Sequence, residues 1–321
     1  RFKDGSFLVA DDSDTTTGDR SIFSSSRFSP CNCDIEKGES PNWDVRATSS
    51  THNEKTQTIT HRNVRMHVLN LPLLYLPYLA HPDWTVRRRT GFLAPSFGIS
   101  SDLGLTSSIP YFVVIDDTRD VEFTGYRFQH RGTALKTRYR QRWDNSDLNA
   151  VLYAGSLNTF KKNRENVAAI DALFNTRLGD GWDVQLRARR ASQDTFMRRY
   201  KFNSDTWLKS SATAERIKPD RYYYVEASDA QSLSAGTAAD HQTTILPYVF
   251  YEDVKPGFRS SQTLKTEISA IQLDNDEGHD LSRWVGNIEL TDQVGTGNLR
   301  TELRTALIGS YYSIQKKPAS A

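Results

Sequence analysis

Apolar and polar residues alternate along most of this chain with a period of two, the signature of strands whose two faces meet unlike surroundings. Up to about residue 85 the alternation comes in short runs: Ser6–Ala10, Ser21–Phe23, Trp43–Ala47, Thr56–Thr60 and Val64–Val68. Clusters of Ser, Thr, Asp and Gly, such as Asp11–Asp19, separate these runs. The pattern predicts half-buried strands of a sandwich, jelly roll or solenoid edge, and helix signals are nearly absent.

From Gly104 onward the runs lengthen. In Leu135–Trp143 the odd positions carry Leu, Thr, Tyr, Gln and Trp, while Lys136, Arg138, Arg140 and Arg142 fill the even ones. With both faces in water, the apolar row would have no partner. With both faces buried, four cations would lie unpaired at large cost. One face toward lipid and one toward a wet lumen accommodates both rows. The pattern recurs in Trp182–Arg189, Leu264–Leu273 and Leu299–Leu307, with turn sequences such as Gly179-Asp180-Gly181 between runs. About a dozen strands of roughly nine to thirteen residues result, long enough to cross a bilayer at a tilt. Aromatic residues gather near strand ends, at Tyr222–Tyr224, Tyr248–Tyr251 and Tyr311-Tyr312, as interfacial girdles do. A soluble multi-stranded protein with one polar face is the other reading of the same alternation.

Between these regions lies the proline-punctuated run Leu71–Pro82, followed by Arg87-Arg88-Arg89 and the Gly/Pro-rich stretch Gly91–Gly98. It reads as a hinge between two β architectures and divides the chain into 1–85 and 86–321. Arg87, Arg88 and Arg89 suit phosphate through bidentate hydrogen bonds, or serve as interfacial anchors. Leu71, Leu73, Leu74 and Leu76 either line an apolar slot or pack in an ordinary core. Pro110 lies inside the run Ser107–Ile115 and Gly125 inside Val121–Phe128. Proline lacks the ladder N–H and belongs at an edge or a strand start, and glycine weakens pairing by carrying no side chain. Ser107–Ile115 is therefore expected to be an exposed edge.

Charge and chemistry narrow the picture further. Lys and Arg number 41 against 39 Asp and Glu, so bulk electrostatics give no support to nucleic-acid binding. Mean hydropathy is low, which a barrel shares because only every second residue need be apolar. No signal peptide is visible, since Arg1–Gly5 already reads as a strand and turn, and the chain is therefore expected to be a fragment. Cys31 and Cys33 are too close to bridge without strain. They are either exposed thiols or partners of cysteines elsewhere, and no metal-ligand spacing follows them. The seven histidines are scattered, and neither G-x-S-x-G nor H-E-x-x-H occurs, so no enzyme chemistry, cofactor or metal is expected.

Several motifs occur in an order that resembles the LPS-assembly family (LptD) of Gram-negative outer membranes. They are Ser29-Pro30-Cys31-Asn32-Cys33, Trp43–Ala47, His61–Val64, Leu71–Pro82, Arg87–Ser96, Tyr111-Phe112, Asp120 and Arg131-Gly132. Thr90 stands where the family usually has Ser. The resemblance implies an all-β chain: the end of a periplasmic β-jelly-roll, then the N-terminal strands of a large antiparallel transmembrane β-barrel, open and incomplete here. It also implies lipopolysaccharide as cargo, moving through an apolar groove and a lateral gate, which on this reading falls at Pro110 and Gly125. The partners implied are the lipoprotein LptE as barrel plug, the periplasmic bridge LptA, and outer-membrane lipids. Pairing of Cys31 and Cys33 with distant cysteines is likewise what the resemblance implies. A complete porin-like channel of about twelve strands is the alternative, and the polar tail Lys316–Ala321 speaks against it.

Overall fold

A computed structural model describes residues 7–16, 19–29, 41–68, 70–83, 85–86, 88–158, 164–233, 243–275, 279–296 and 299–316. The chain is all-β and divides into two compact units, Arg1–Gly91 and Phe92–Ala321.

The first unit holds an antiparallel sheet built from β1 (Phe7–Val9), β2 (Asp12–Thr16), β3 (Arg20–Ser29), β4 (Trp43–Asn53), β5 (Thr58–Val68) and β6 (Leu71–Pro82). The order is β1-β3-β4-β5-β6, with β2 also on β3. The runs at Thr56–Thr60 and Val64–Val68, which read as separate strands, belong to one continuous β5. The break in alternation has a local cause. Ser25 and Asn63 both sit at φ 50°, the left-handed region that Asn tolerates better than most residues. Around them, Thr48 donates to the Arg62 carbonyl (3.2 Å), Asn63 Nδ2 to Thr48 Oγ1 (3.2 Å) and Tyr75 OH to Asn63 Oδ1 (3.0 Å). Across this seam the inward positions change parity, from Val45 and Ala47 to Ser50 and His52, and from Ile59 and His61 to Val64 and Met66.

Val45, Ala47 and Val64 form the small core, with Phe28, Trp43, Leu76 and Leu79 packed against it. On the opposite face Asp44, 2% exposed, is gripped by Arg27 (Nη2 at 2.6 Å) and Arg46 (Nε at 2.9 Å). Within the stretch Leu71–Gly98, the two units divide after Gly91, and Leu71–Pro82 lies wholly in the first. It forms the full-length outer strand β6, a position where a proline's missing N–H is tolerable.

The second sheet comprises β7 (Gly91–Phe92), β8 (Ser96–Ser100), β9 (Gly104–Val114), β10 (Arg119–Phe128), β11 (Gly132–Arg142), β12 (Ser146–Asn158), β13 (Arg164–Leu178), β14 (Trp182–Ala191), β15 (Trp207–Ile217), β16 (Arg221–Ser232), β17 (Thr243–Pro256), β18 (Gln262–Asn275), β19 (His279–Thr296) and β20 (Leu299–Lys316). From β9 onward each strand pairs antiparallel with its sequence neighbours, and the sheet stays open, with β20 at one end and β7 and β8 at the other. β9 to β20 run from 10 to 18 residues. Gly132, at φ +119°, is dictated by close approach: a Cβ there would meet the Ser156 carbonyl oxygen at 2.4 Å.

The Gly/Pro-rich stretch Gly91–Gly98 supplies β7 and the start of β8, two short strands separated around Pro95. This overturns the expected exposed edge at Ser107–Ile115. On its outer side, Ser107 and Ser108 pair with Phe97 and Ser96 of β8, and Leu93 N–H bonds the Pro110 carbonyl at 2.9 Å. On its inner side β9 pairs with β10. The ten residues Gly91–Ser100 conceal two short strands because their pairing is interrupted.

Candidate functional site

Residues directly opposite one another across a ladder share a face, so register sorts the large sheet into two surfaces. One row runs Glu122, Arg138, Val151, Asp171, Arg189, and the next runs Asp120, Arg140, Asn149, Leu173, Arg187, Ser211. Ion pairs tie these rows together: Arg140 to Asp120 at 2.7 Å, Arg189 to Asp171 at 3.1 Å and to Asp205 at 2.6 Å. Farther along, Lys265 bridges Glu252 (3.0 Å) and Glu267 (2.8 Å).

The opposite face carries Phe123, Leu135, Leu152, Leu186, Val225, Val249, Ile268, Trp284, Ile288, Leu307 and Tyr311, all exposed. Arg138, Arg140 and Arg142 therefore share the charged face, while Tyr139 and Trp143 lie on the apolar one. An exposed apolar surface spanning this many strands is far larger than the patches water-soluble monomers tolerate.

The two ends of the sheet differ. Connections at one end are short: 115–118, 143–145, 179–181, 218–220 and 257–261. The longest at the other end runs from 192 to 206. At the short-turn end the apolar face bears an aromatic belt: Trp143 on Phe174 (6.1 Å), Trp182 on Tyr223 (5.9 Å), Tyr223 on Tyr251 (5.1 Å). At the long-loop end the same face bears Arg127, Arg164 and Arg190.

The connection 192–206 was invisible in the alternation. It contains the single helical turn α1 (Phe196–Arg199) and folds back over the charged face. Phe196, Met197 and Tyr200 are buried with Phe128, Tyr153, Leu157, Leu208 and Leu233, and Phe202 meets Tyr126 and Tyr153 edge-on or tilted at 5.0 and 4.9 Å. The signal available was Phe196-Met197 and Tyr200, apolar residues at helical spacing within a run otherwise readable as a loop.

The residues singled out in the hinge region do not gather at one place. Leu71, Leu73 and Leu74 on β6 are exposed, whereas Leu76 packs on the small core. Arg89 Nη1 donates to Thr58 Oγ1 at 2.7 Å, tying it to the start of β5. Arg87, Cys31 and Cys33 lie outside the described residues. Gly125 pairs with both Ile109 and Leu135, and a Cβ there would meet open space.

Three of the histidines that looked scattered converge in the small unit. His61 Nε2 lies 3.0 Å from His81 Nε2, and His61 Nδ1 lies 2.5 Å from Ser50 Oγ, which also bonds Ser26 Oγ. His52 Nε2 bonds Asp83 at 2.9 Å. Burial, then the neighbouring His81, lowers the His61 pKa to about 3. Burial pushes the Asp83 carboxyl up, but hydrogen bonds from His52 and Thr85 outweigh it and hold the group below its ordinary value. Among the described residues no group of His, Cys, Asp or Glu could hold a metal ion.

No family profile matches the chain. It is 27% identical over 169 residues to the LPS-assembly protein LptD of Acinetobacter baylyi, a match covering 52% of this chain and 20% of that protein. To LptD of Vibrio cholerae serotype O1 it is 31% identical over 163 residues, covering 51% and 18%. To LptD of Pseudoalteromonas atlantica it is 28% identical over 192 residues, covering 60% and 24%. The chain thus spans about a fifth of the length of the curated relatives it matches.

Proposed function

We propose that the chain is a piece of an LPS-assembly protein of the LptD family, and thus part of an outer-membrane translocon that delivers lipopolysaccharide to the outer leaflet. The observation that carries the reading is the two-faced sheet. Its ion-paired face suits a hydrated passage for sugars and phosphates, and its continuous apolar face suits lipid. On this reading the short-turn end with its aromatic belt faces the periplasm, as the short turns of such barrels do. Arg127, Arg164 and Arg190 then stand at the leaflet richest in lipid phosphate.

The small unit is, on the same reading, the end of a periplasmic jelly roll through which acyl chains pass. Leu71, Leu73 and Leu74 are available to those chains, and Leu76 backs them. Arg88 and Arg89, with Arg87, meet the phosphates. The periplasmic bridge LptA adds a strand to a free sheet edge. Pro72, Pro77 and Pro82 make β6 a poor template for that, which favours the β1–β2 side. LptE occupies the charged face as a plug. The lateral gate lies where pairing is weakest, at β7 and β8 around Pro95, with Pro110 and Gly125 in the two strands behind it. A closed porin of about twelve strands is disfavoured because the sheet is open.

Depleting the encoding gene tests the assignment. Newly made lipopolysaccharide should cease to reach the cell surface, read by surface labelling, while other barrels still assemble. Normal surface delivery would overturn it.

A further inference from the structure

The directions of the hydrogen bonds through His61 and His81 are fixed by chemistry. His81 Nδ1 lies 2.8 Å from the Pro82 carbonyl oxygen, and a carbonyl only accepts, so Nδ1 carries the hydrogen. In the neutral ring Nε2 is then an acceptor, and the 3.0 Å contact requires His61 Nε2 to donate to it. His61 Nδ1 must accept in turn, so Ser50 Oγ donates to it, and Ser26 donates to Ser50. One polarity satisfies every group from Ser26 to Pro82, provided both rings are neutral. The chain crosses four strands, β3, β4, β5 and β6, and ends at the last residue of an outer strand.

We propose that the Ser26–Ser50–His61–His81 chain is an acid-sensitive clasp that fastens the end of β6 to the small sheet and releases it as the pH falls. Packing supports the clasp: the two imidazoles stack at 5.1 Å, and Phe28 of β3 stacks on His81 at 4.8 Å. A proton on either ring places a charge among buried groups, since His61 is fully buried and an isolated charge there is costly. The surrounding groups act unequally. β3 offers Ser26 and Phe28, which are neutral, and from β4 His52 repels a cation on His81. The Pro82 carbonyl at Nδ1 and, less strongly, Asp83 just after β6 favour it, but Asp83 is already bonded by His52 and by the hydroxyl and N–H of Thr85. Burial therefore dominates, and the His81 pKa is lowered, as that of His61 is.

The sign follows. With folded values depressed below 6.5, the clasped state binds fewer protons than the opened one, so closure is fully favoured above about pH 6.5 and weakens below it. Among the described residues β6 is paired on one side only, so its end can open without global unfolding. Between pH 7.5 and 5.5 the open population rises about tenfold for one proton taken up, and about a hundredfold for two. The periplasmic setting, where such acidity would be met, rests on the function proposed above, whereas the clasp itself does not.

The test is hydrogen exchange of the full chain in detergent at pH 7.5 and 5.5, corrected for intrinsic rates. Amides of 79–83 should lose protection at least tenfold at the lower pH, while those of 45–47 should not. His81→Gln accepts the same hydrogen bond but takes no proton in this range, and should lower the pH response of 79–83 below that of the parent, to no more than the roughly tenfold that His61 alone supplies. Should that variant fail to fold, nitrogen chemical shifts of the wild-type histidines at pH 7.5 decide: His81 must be the Nδ1–H tautomer and His61 the Nε2–H tautomer. A uniform pH response, an undiminished response in the variant, or the opposite tautomers would each overturn the clasp. None of these outcomes touches the transport assignment.

Discussion

The carbonyl of Pro110 accepts the Leu93 N–H at 2.9 Å, which fixes the side of β9 on which the proline is deficient. A strand residue points its N–H and C=O to the same neighbour, so the missing donor faces β7 and leaves the β9–β10 ladder whole. The weakness introduced by Pro110 is thus in the outermost seam, next to the interruption around Pro95.

Replacing Pro110 with Val should restore one hydrogen bond toward β7, a net gain of about 0.5–1.5 kcal/mol. Amides of 91–98 should exchange more slowly in the variant while those of β10 and β11 are unchanged. If the seam is the gate, lipopolysaccharide delivery should slow as well. Faster or unaltered exchange at 91–98 would show that the proline does not set the strength of this edge.

How much of this was legible beforehand depended on whether alternation survived. The runs Leu135–Trp143 and Trp182–Arg189 kept strict period two, so their strands and the split between faces followed directly, with Arg138 on the charged face and Trp143 on the apolar one. Asn63 and Ser25 broke the period by turning left-handed, which split β5 in two on paper. Pro72, Pro77 and Pro82 concealed the outer strand β6, and Pro95 concealed the interrupted pair β7 and β8. The convergence of His52, His61 and His81 could not be read from spacing at all. It depends on the pairing register of three strands and on the parity change at the seam, neither of which sequence spacing reveals.

The two faces of the large sheet predict unequal tolerance to charge. Leu152 and Asn149 are both on β12, the first on the apolar face and the second on the charged one. Leu152→Arg should cost about 2–4 kcal/mol if the residue lies near mid-bilayer, while Asn149→Arg should be close to neutral. Denaturant unfolding in lipid vesicles measures the difference. Equal tolerance at both positions would argue that the apolar face does not meet lipid.

Asp44 binds two arginines from a site that is 2% exposed. Asp44→Asn keeps the shape but removes the charge, leaving Arg27 and Arg46 to share a neutral acceptor. Charge-assisted hydrogen bonds contribute about 1.5–3 kcal/mol each, and both arginines are a third or more exposed, so the loss should sit near the lower end. Urea titration followed by Trp43 fluorescence reports on this unit. A change in midpoint equal to that of an exposed control such as Asp12→Asn would show that the cluster is ornamental.

Phe196 is 1% exposed and lies at the centre of the aromatic and aliphatic cluster that seats 192–206 on the charged face. Removing its ring leaves a cavity among Tyr200, Phe202 and Leu208 that these neighbours fill only in part, because the strands beneath them are fixed by their ladders. Phe→Ala changes of this kind cost about 3–5 kcal/mol. The segment 192–206 is held by this cluster and a few polar contacts, including Tyr200 OH to the Asn158 carbonyl at 3.0 Å. The cost should therefore appear as release of the segment, with the sheet itself intact. Limited proteolysis of Phe196→Ala should cut within 192–206 at least tenfold faster than in the parent protein, with strand content unchanged by infrared spectroscopy. Cleavage at the parental rate would mean that the polar contacts alone seat the segment. Cleavage accompanied by loss of strand signal would mean that the cluster is a foundation of the sheet, so that β14 and β15 depend on it to pair.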